Sequence, residues 1–253
     1  MEPLGPRNQR VLEAARLHRS RHRRDTGRTI LEGPNLFEEA LTAGVRPEVV
    51  FALPDDQPTA ALARRHDLEL VPVDPAALKR LAGTTTPRGP AAVITVPAAR
   101  SVPGAGMIVA WGLGDPGNVG TLIRTAAAFR WDFGHTAGTA DPWSPKVLRS
   151  GAGGHFGTGI SSIDSVESLE ALELTTVATV VGGGVDPSTL GPGHYAVLVG
   201  EEAAGLPSEV ADRARLEVTI PMPGGMESLN AGMAAGIIVY ELSKPGGEGW
   251  GRV

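Results

Sequence analysis

The sequence contains no cysteine, and aromatic residues make up only 4% of its 253 residues. Without cysteine the chain can form no disulfide and no thiolate metal site, and it has no cysteine nucleophile. No stretch reaches the roughly 18 consecutive apolar residues that a membrane-spanning helix requires, and the opening residues lack the apolar core of a secretory signal. These absences predict a cytoplasmic protein without a membrane partner. The remaining composition, 42% apolar and 20% charged, is typical of a globular chain of one or two domains.

Basic residues are concentrated at the N-terminal end. Residues 7–28 contain eight arginines and two acidic residues, whereas residues 29–253 contain 15 basic and 25 acidic residues. A polyanion would therefore bind mainly at the N-terminal end, although a solvated arginine-rich helix over 8–24 explains the same charges. The candidate phosphate contacts are Arg19, Arg21, Arg23 and Arg24. We expect His18 and His22, which lie among these arginines, to face solvent or phosphate rather than zinc.

Strand-like apolar runs alternate with helical segments in two parts of the chain. Over residues 29–97 the pattern predicts four strands and three helices, which make a small α/β domain. The Pro/Gly/Ser-rich residues 99–106 form the predicted linker. A second α/β pattern follows and ends in a long helix over 228–242. The sequence therefore predicts an N-terminal domain over 1–98 and a C-terminal domain over 107–253.

The segment GLGDPG (112–117) matches the dinucleotide-binding fingerprint, since it follows a predicted strand and begins a helix. A nicotinamide-dependent oxidoreductase is therefore one hypothesis. Two details argue against it. Pro116 and Gly117 are typical of a turn, where the fingerprint needs the first helical turn. The acidic residue expected at the end of the next strand is absent, because Asp132 and Asp141 lie before and after that strand.

The overlapping segment DPGNVGTLIRTAAAFR, which starts at Asp115, allows a different interpretation. Asn118 can cap the helix, and Gly120 allows another backbone to approach. Arg124 has apolar neighbours, and an arginine on the inner side of such a helix needs a partner or an anionic ligand. The alternative is a surface arginine whose stem covers apolar residues.

The segment VLVGEEAAGLPSEV (197–210) predicts a strand, a glycine turn with two carboxylates, and a helix. Glu201 and Glu202 are adjacent, so they cannot flank one substrate as an acid–base pair. One carboxylate that orients a cation such as Arg124 is the simpler hypothesis. An ordinary charged loop is the alternative.

The segment VTIPMPGGMESLNAGMAAGIIVYEL (218–242) predicts a strand, a loop broken by proline and glycine, and a helix that begins near Ser228 and Asn230. Backbone N–H groups, hydroxyl and amide groups at a helix start form a polar ligand site. Gly232 and Gly236 allow close helix packing. A tight turn into a core helix would explain the glycines but not the Ser-Leu-Asn cluster.

Three motifs in this order, N-x-G-x-x-x-R, G-x-E-x-x-G-L and I-P-M-x-x-x-x-x-S-L-N, resemble the SpoU/TrmH branch of the SPOUT RNA methyltransferases over roughly residues 107–242. The segments ILEGPNLFEEAL and TTTPRGPAAVITVP are similar to the ribosomal-protein-like substrate domain of members that modify rRNA. The resemblance implies a C-terminal trefoil-knotted domain with a parallel sheet flanked by helices, an exception to the rarity of knots. It also implies a smaller N-terminal α/β domain, a homodimer, and S-adenosylmethionine as methyl donor.

Transferred to the matching positions, the resemblance also implies site residues. The donor is expected at Gly200, Gly205, Ile220, Met222 and Leu229. The catalytic group is expected at Asn118, Arg124, Glu202, Ser228 and Asn230. Arg88 joins the four N-terminal arginines as a candidate RNA contact.

The resemblance implies methylation of a ribose 2′-hydroxyl without a metal, and the N-terminal domain favours 23S rRNA over tRNA. A guanidinium has a pKa above about 12, so we expect Arg124 to bind a phosphate and to accept a proton only as transfer proceeds. The alternatives are a tRNA 2′-O-methyltransferase, an RNA-binding protein that has lost catalysis, and the oxidoreductase.

Overall fold

The computed structural model describes residues 2–84, 86–87, 89–99, 106–191, 193–202 and 204–244. The chain divides into two compact units, of which the first is Met1–Ala98 with Trp143–Phe156 and the second is Ala99–Pro142 with Gly157–Val253. The first division falls at residue 98, where the sequence predicts the end of the N-terminal domain. The segment Trp143–Phe156 belongs to the first unit, whereas the sequence places it in the C-terminal domain. Residues 100–105 of the predicted linker lie outside the described residues, and so does Arg88.

The first unit is built on a four-stranded sheet with helices on both faces. Its elements in chain order are α1 (Gln9–Ala15), a 3-10 turn (Arg16–His18), α2 (Ser20–Thr26), β1 (Arg28–Glu32), α3 (Pro34–Thr42), β2 (Val49–Ala52), α4 (Gln57–Arg65), β3 (Leu70–Pro72), α5 (Pro75–Ala82) and β4 (Ala91–Thr95). The strand order is β1-β4-β2-β3, with β4 antiparallel to both of its neighbours and β3 parallel to β2. Ile30 and Phe51 pack into one core, and their neighbours Leu31 and Val50 pack into the other, as strand alternation requires.

The basic N-terminal segment is two short helices, so the prediction of a single helix over 8–24 is wrong. Arg19 has an extended backbone, with φ −90° and ψ 124°, and this residue separates the 3-10 turn from α2. Val11 and Leu17 lie before this break and are buried in the first core. After the break, Arg23 turns back and donates a hydrogen bond to the Leu17 carbonyl at 2.7 Å. Core packing before the break and the hydrogen bond of Arg23 after it therefore hold the segment in its bent form.

His18 is half-buried, so the expectation that it faces solvent or phosphate is wrong. Its Nε2 donates to the Leu81 carbonyl at 2.7 Å and lies 3.9 Å from a carboxylate oxygen of Glu32. A Cβ added at Gly83 would meet the imidazole ring at 2.7 Å. His18 therefore joins the 3-10 turn to the end of α5.

The second unit is built on a six-stranded sheet in which every neighbouring pair is parallel, in the order β10-β8-β9-β5-β6-β7. The elements after β4 are β5 (Met107–Ala110), α6 (Pro116–Phe129), β6 (Asp132–His135), α7 (Pro145–Gly151), β7 (Ile160–Ser162), α8 (Val166–Glu170), β8 (Thr175–Thr179), β9 (Tyr195–Val199), α9 (Ser208–Ala211), β10 (Leu216–Val218) and α10 (Ala231–Leu242). Among these, α7 belongs to the first unit. The predicted α/β fold class, with a parallel C-terminal sheet and a smaller N-terminal domain, is confirmed.

The helix α7 packs with the first unit because its apolar side completes a core there. Leu148 is fully buried in the cluster that contains Leu31. Two polar contacts add to this packing. Thr29 Oγ1 donates to the Trp143 carbonyl at 2.7 Å. Arg149 Nη1 lies 2.5 Å from a carboxylate oxygen of Glu32.

None of the helices in the described part of the chain is long and apolar enough to span a membrane. Within the same residues, no three His, Asp or Glu side chains are grouped so that they could hold a metal ion.

Candidate active site

A cavity of about 670 Å³ opens in the second unit beyond the carboxyl ends of three neighbouring strands, β8, β9 and β10. The loop before α10 and the first turns of that helix complete its wall. The residues predicted to hold the cofactor all line it, and they are Gly200, Gly205, Ile220, Met222 and Leu229. Two predicted catalytic residues, Glu202 and Ser228, line it as well. The fold therefore brings the second and third sequence motifs together at one cavity.

A tight turn after β9 needs glycine at two positions. Glu201 and Gly205 exchange backbone hydrogen bonds of 3.2 and 2.7 Å, which close the turn. A Cβ at Gly200 would lie 2.2 Å from the Gly205 carbonyl carbon, and Gly205 has φ +69°. A side chain at Gly200 would therefore displace backbone, and one at Gly205 would strain it. The turn brings bare backbone to the cavity.

The cavity is acidic. Three carboxylates line it, those of Glu201, Glu202 and Glu227, and no lysine or arginine is among the described residues of its lining. Such a site favours a ligand that carries positive charge. Glu227 and residues 179–181 also line the cavity, although they were not among the site residues predicted from the sequence. Residues 179–181 could be placed there only once β8 was known to neighbour both β9 and β10.

Three predicted catalytic residues form one hydrogen-bonded network at the rim. Asn118 Nδ2 donates to Glu202 Oε1 at 2.6 Å, and Asn230 Nδ2 donates to the same oxygen at 2.9 Å. Asn230 Nδ2 also lies 2.9 Å from Asn118 Oδ1. Asn118 is on the first turn of α6, Glu202 follows β9, and Asn230 caps α10. The network therefore joins all three motifs.

The same part of the structure corrects three hypotheses drawn from the sequence. Glu202 accepts from two amides, and no contact joins it to Arg124 among the described residues. The cap of α6 is Asp115, which accepts from the Asn118 backbone N–H at 2.8 Å, so Asn118 is not the cap. Pro116 and Gly117 are the first two residues of α6, so the argument that they belong to a turn is wrong. With the cap supplied by Asp115, the amide of Asn118 is available to the network.

Arg124 lies on the exposed side of α6, so the prediction that it occupies the inner side is wrong. The buried side of that helix carries Val119, Leu122, Ile123 and Ala126. Arg124 makes no hydrogen bond or ion pair with any residue that the structure describes, and it is absent from the described lining of the cavity. Its guanidinium is available to a ligand or partner outside the chain.

The helices α6 and α10 pack against each other. Gly232 packs against Thr121, because an added Cβ would meet its methyl group at 2.8 Å, and the rings of Phe129 and Tyr240 are 6.4 Å apart. The close packing predicted at Gly232 is therefore present, whereas an added Cβ at Gly236 would meet nothing within 4 Å. Large apolar side chains on the outer face of α10 are exposed, namely Met233, Ile237 and Tyr240.

The four N-terminal arginines of the first unit have different surroundings. Arg19, Arg21 and Arg24 are exposed. Arg21 lies 3.7 Å from Asp25, and Arg24 donates to a serine hydroxyl. Arg23 is only 5% exposed and bonds to a backbone carbonyl. Arg23 is therefore a structural residue, and its prediction as an RNA contact is wrong.

Known proteins match both units. Residues 106–240 match the SpoU rRNA Methylase family, and residues 8–92 match an MRM3-like substrate binding domain. The chain is 30% identical over 246 residues to the 23S rRNA (guanosine(2553)-2'-O)-methyltransferase RlmP of Bacillus subtilis, covering 93% of this chain and 96% of the relative.

Solved structures agree over nearly the whole chain. An AdoMet-bound rRNA methyltransferase from Sinorhizobium meliloti superposes with a TM-score of 0.82 at 26% identity, covering 95% of this chain and 97% of that one. An RNA 2'-O ribose methyltransferase superposes with a TM-score of 0.80 at 30% identity, covering 95% and 98%. The family match includes the cavity, the network and all three motifs. The chain belongs to the SpoU rRNA methylase family.

Proposed function

We propose that this chain transfers a methyl group from S-adenosylmethionine to a ribose 2′-hydroxyl of ribosomal RNA. The observation that carries the proposal is the acidic cavity whose rim holds the network of Asn118, Glu202 and Asn230. Relatives with a similar sequence and fold are named as enzymes of this reaction and as proteins that bind this donor.

The cavity offers the donor suitable contacts and a complementary charge. When bound, S-adenosylmethionine supplies a reactive methyl group on a positively charged sulfur. The turn from Gly200 to Gly205 offers backbone groups to the polar edge of an adenosine, and Ile220 and Leu229 offer apolar contact to its base. The carboxylates that line the cavity complement the positive charge. We assign Met222 to the same binding group.

The catalytic residues align the ribose hydroxyl group for the transfer and accept its proton. The hydroxyl oxygen must lose its proton as it gains the methyl group. Ser228 and the network of Asn118, Glu202 and Asn230 hold the ribose in place, and good alignment lowers a barrier of this kind by about 7–11 kcal/mol. Arg124 binds the phosphate next to the target ribose through its planar fork. To take up the hydroxyl proton, the side chain must first release one of its own protons to solvent. Its neutral form then accepts the hydroxyl proton late in the transfer, when the bond from oxygen to the methyl carbon is nearly formed and the bond from that carbon to sulfur is nearly broken.

We propose that the site is completed by a second copy of the chain. The exposed apolar residues of α10, which are Met233, Ile237 and Tyr240, suit an interface between copies. Arg124 projects from the neighbouring helix without a partner among the described residues, so on pairing it can reach the cavity of the other copy. Ile237→Glu should convert a particle of twice 26.2 kDa into one of 26.2 kDa in light scattering.

The substrate we propose is 23S rRNA rather than tRNA. The first unit matches a substrate-binding domain, and the Bacillus subtilis relative is named for 23S rRNA. The trefoil knot implied by the motifs stays a prediction.

The test is methyl transfer with radiolabelled donor to unmodified 23S rRNA, 16S rRNA and tRNA, followed by mapping of the 2′-O-methyl group in a strain that lacks the protein. We expect one ribose of 23S rRNA to be labelled and the same ribose to lose its methyl group in that strain. Labelling of tRNA alone would contradict the proposal that 23S rRNA is the substrate. Nicotinamide dinucleotide binding without S-adenosylmethionine binding would contradict the reaction.

A further inference from the structure

A second cavity, which the proposed chemistry does not use, lies wholly within the first unit. It is an open cleft of about 1710 Å³ between the start of α3, the loop after α5, and α7. Both sequence segments that resemble a substrate domain contribute to it. Glu32 and Asn35 come from ILEGPNLFEEAL, and Thr84 and Thr86 come from TTTPRGPAAVITVP. The fold therefore gathers these two segments on one surface.

Glu32 gives the cleft an unsatisfied buried acceptor. Its side chain is only 5% exposed, and one carboxylate oxygen pairs with Arg149 at 2.5 Å. The other oxygen, Oε1, has no hydrogen-bond partner among the described residues. A buried acceptor without a donor is costly, so a ligand that brings an N–H group here would gain from it. Burial also raises the pKa of Glu32 to about 7, against the opposing charge of Arg149.

The start of α3 borders the same cleft without a side-chain cap. The N-cap is Gly33, with φ 91°, and among the described residues no side chain caps the first turn of this nine-residue helix. The backbone N–H groups of Asn35 and Leu36 therefore face the cleft region without a capping acceptor. They can bond to a sugar or carbonyl oxygen of a ligand that also reaches Glu32.

The charges of the cleft favour a base over a phosphate. Among the lining residues that the structure describes, Glu32, Glu38 and Glu39 accompany Arg149, so acidic groups outnumber basic ones there. Phosphates are better placed at the exposed Arg19. That arginine directly follows His18, whose Nε2 lies 3.9 Å from Oε1 of Glu32. A strand bound along the basic segment can therefore direct one base into the cleft.

We propose that this cleft binds one unstacked guanine of the RNA substrate, with the N–H groups of its Watson–Crick edge on Glu32. This inference rests on the proposed function, because it requires an RNA substrate. Proteins commonly recognise unstacked bases of single-stranded RNA through this edge. Guanine fits best because its N1–H and N2–H groups are adjacent donors, whereas adenine presents a donor and an acceptor. The cleft would thus select the RNA at a nucleotide separate from the methylated ribose.

The experiment measures binding of labelled pentanucleotides to the full chain by fluorescence anisotropy at low salt and pH 8. The probes are AAGAA, AAAAA, and the same pentamer with a central inosine, which lacks the N2 amino group. We expect AAGAA to bind at least fivefold more tightly than AAAAA, with inosine between them. Glu32→Gln should reduce this ratio to less than twofold and leave the affinity for AAAAA unchanged.

Two further variants keep the test decisive. Glu13→Gln removes an exposed carboxylate elsewhere in the unit and should preserve the fivefold ratio. Thr86→Trp fills the cleft from an exposed position and should abolish the ratio even where Glu32→Gln folds poorly. Equal binding of all probes by the unaltered chain would overturn the proposal, and so would a ratio that survives both cleft variants. Preferential binding of an arginine-rich peptide in the cleft would overturn it too.

The binding measurements, taken together with the methyl-transfer assay, separate this inference from the function on which it rests. If the chain methylates 23S rRNA but shows no guanine preference, the cleft proposal fails and the function stands. If it neither binds the pentamers nor methylates RNA, both fail.

Discussion

The two units hold their polar residues in different ways. In the second unit, Asn118, Glu202 and Asn230 bond to one another, and each is placed by a helix start or a glycine turn. In the first unit, arginines that are close in sequence have unrelated roles, since Arg23 is buried and Arg19 is exposed. The spacing of sequence motifs locates a site when backbone geometry fixes the position of each residue in the motifs. Charge density locates only a region, because single residues within it can serve the core.

The largest effect should come from Arg124, which separates catalysis from binding in the second unit. Arg124→Ala should lower methyl transfer by about a thousandfold or more, which corresponds to roughly 4 kcal/mol of lost transition-state stabilisation. Donor affinity should be unchanged, because the proposed donor contacts come from Gly200, Ile220 and Leu229, whereas Arg124 of the second copy contacts the phosphate of the RNA. The measurements are tritiated methyl incorporation into rRNA and calorimetric donor titration.

Arg124→Lys serves as the matched variant, because lysine keeps the charge and loses the planar fork. It should be almost as inactive as the alanine variant. Near-normal turnover of Arg124→Ala would make this residue an ordinary surface arginine and would refute the proposed mechanism.

Gly200→Ala should affect donor binding rather than turnover chemistry. The added Cβ would lie 2.2 Å from backbone of the Gly205 turn, so the turn must move. Overpacking of this kind costs about 1–3 kcal/mol, which predicts a loss of donor affinity of roughly 5- to 150-fold. Gly114→Ala is the control, because its Cβ meets nothing within 4 Å. Equal donor affinity in both variants would show that the turn does not shape the cavity.

In the first unit, the arginines should divide into RNA contacts and a structural residue. The double variant Arg19→Gln/Arg24→Gln should weaken RNA binding and reduce the salt slope by about 0.7–0.9 per lost phosphate contact. Arg23→Gln should leave this slope unchanged and lower the free energy of unfolding by about 1–3 kcal/mol, because the Leu17 carbonyl loses its charged donor. Filter binding over a salt series and thermal melting measure the two effects. A salt slope that changes with Arg23 alone would reverse the assignment.

The smallest effect should be a pH dependence of stability from Glu32. Burial raises its pKa from 4.5 to about 7, so between these values the folded chain keeps a proton that the unfolded chain releases. The free energy of unfolding therefore falls as the pH rises through this window. Glu32→Gln should lack this decline when melting temperatures at pH 5 and pH 8 are compared. A parallel decline in both proteins would assign the effect to other groups.

Much of the second unit could be predicted from the sequence. Its buried strands are continuous apolar runs, and residues such as Gly200 and Asn230 are restricted by backbone geometry to a turn and a helix cap. The face of α6 on which Arg124 lies could not be predicted in this way. Apolar neighbours in sequence indicate a buried helix, but the face of one residue depends on which side of α6 meets the sheet.

The helices and strands of the first unit could be predicted from the sequence, but the surroundings of its individual side chains could not. The four strands and three helices over 29–97 follow from periodicity and capping, and they are present. The pairing of Glu32 with Arg149 joins residues 117 positions apart. A contact of this kind cannot be predicted from a local sequence pattern. It depends on α7, which belongs to the first unit although the chain on either side of it belongs to the second unit.

The course of the chain through α7 limits how the protein can be divided or recombined. The chain passes between the units three times, at residues 98–99, 142–143 and 156–157. A fragment of residues 107–253 would carry Leu148 without its core, and a fragment of residues 1–98 would leave Leu31 and Phe37 partly uncovered. The first unit therefore cannot be exchanged between relatives as one continuous segment of the chain. Any viable chimera must inherit the first unit and its returning helix from the same parent.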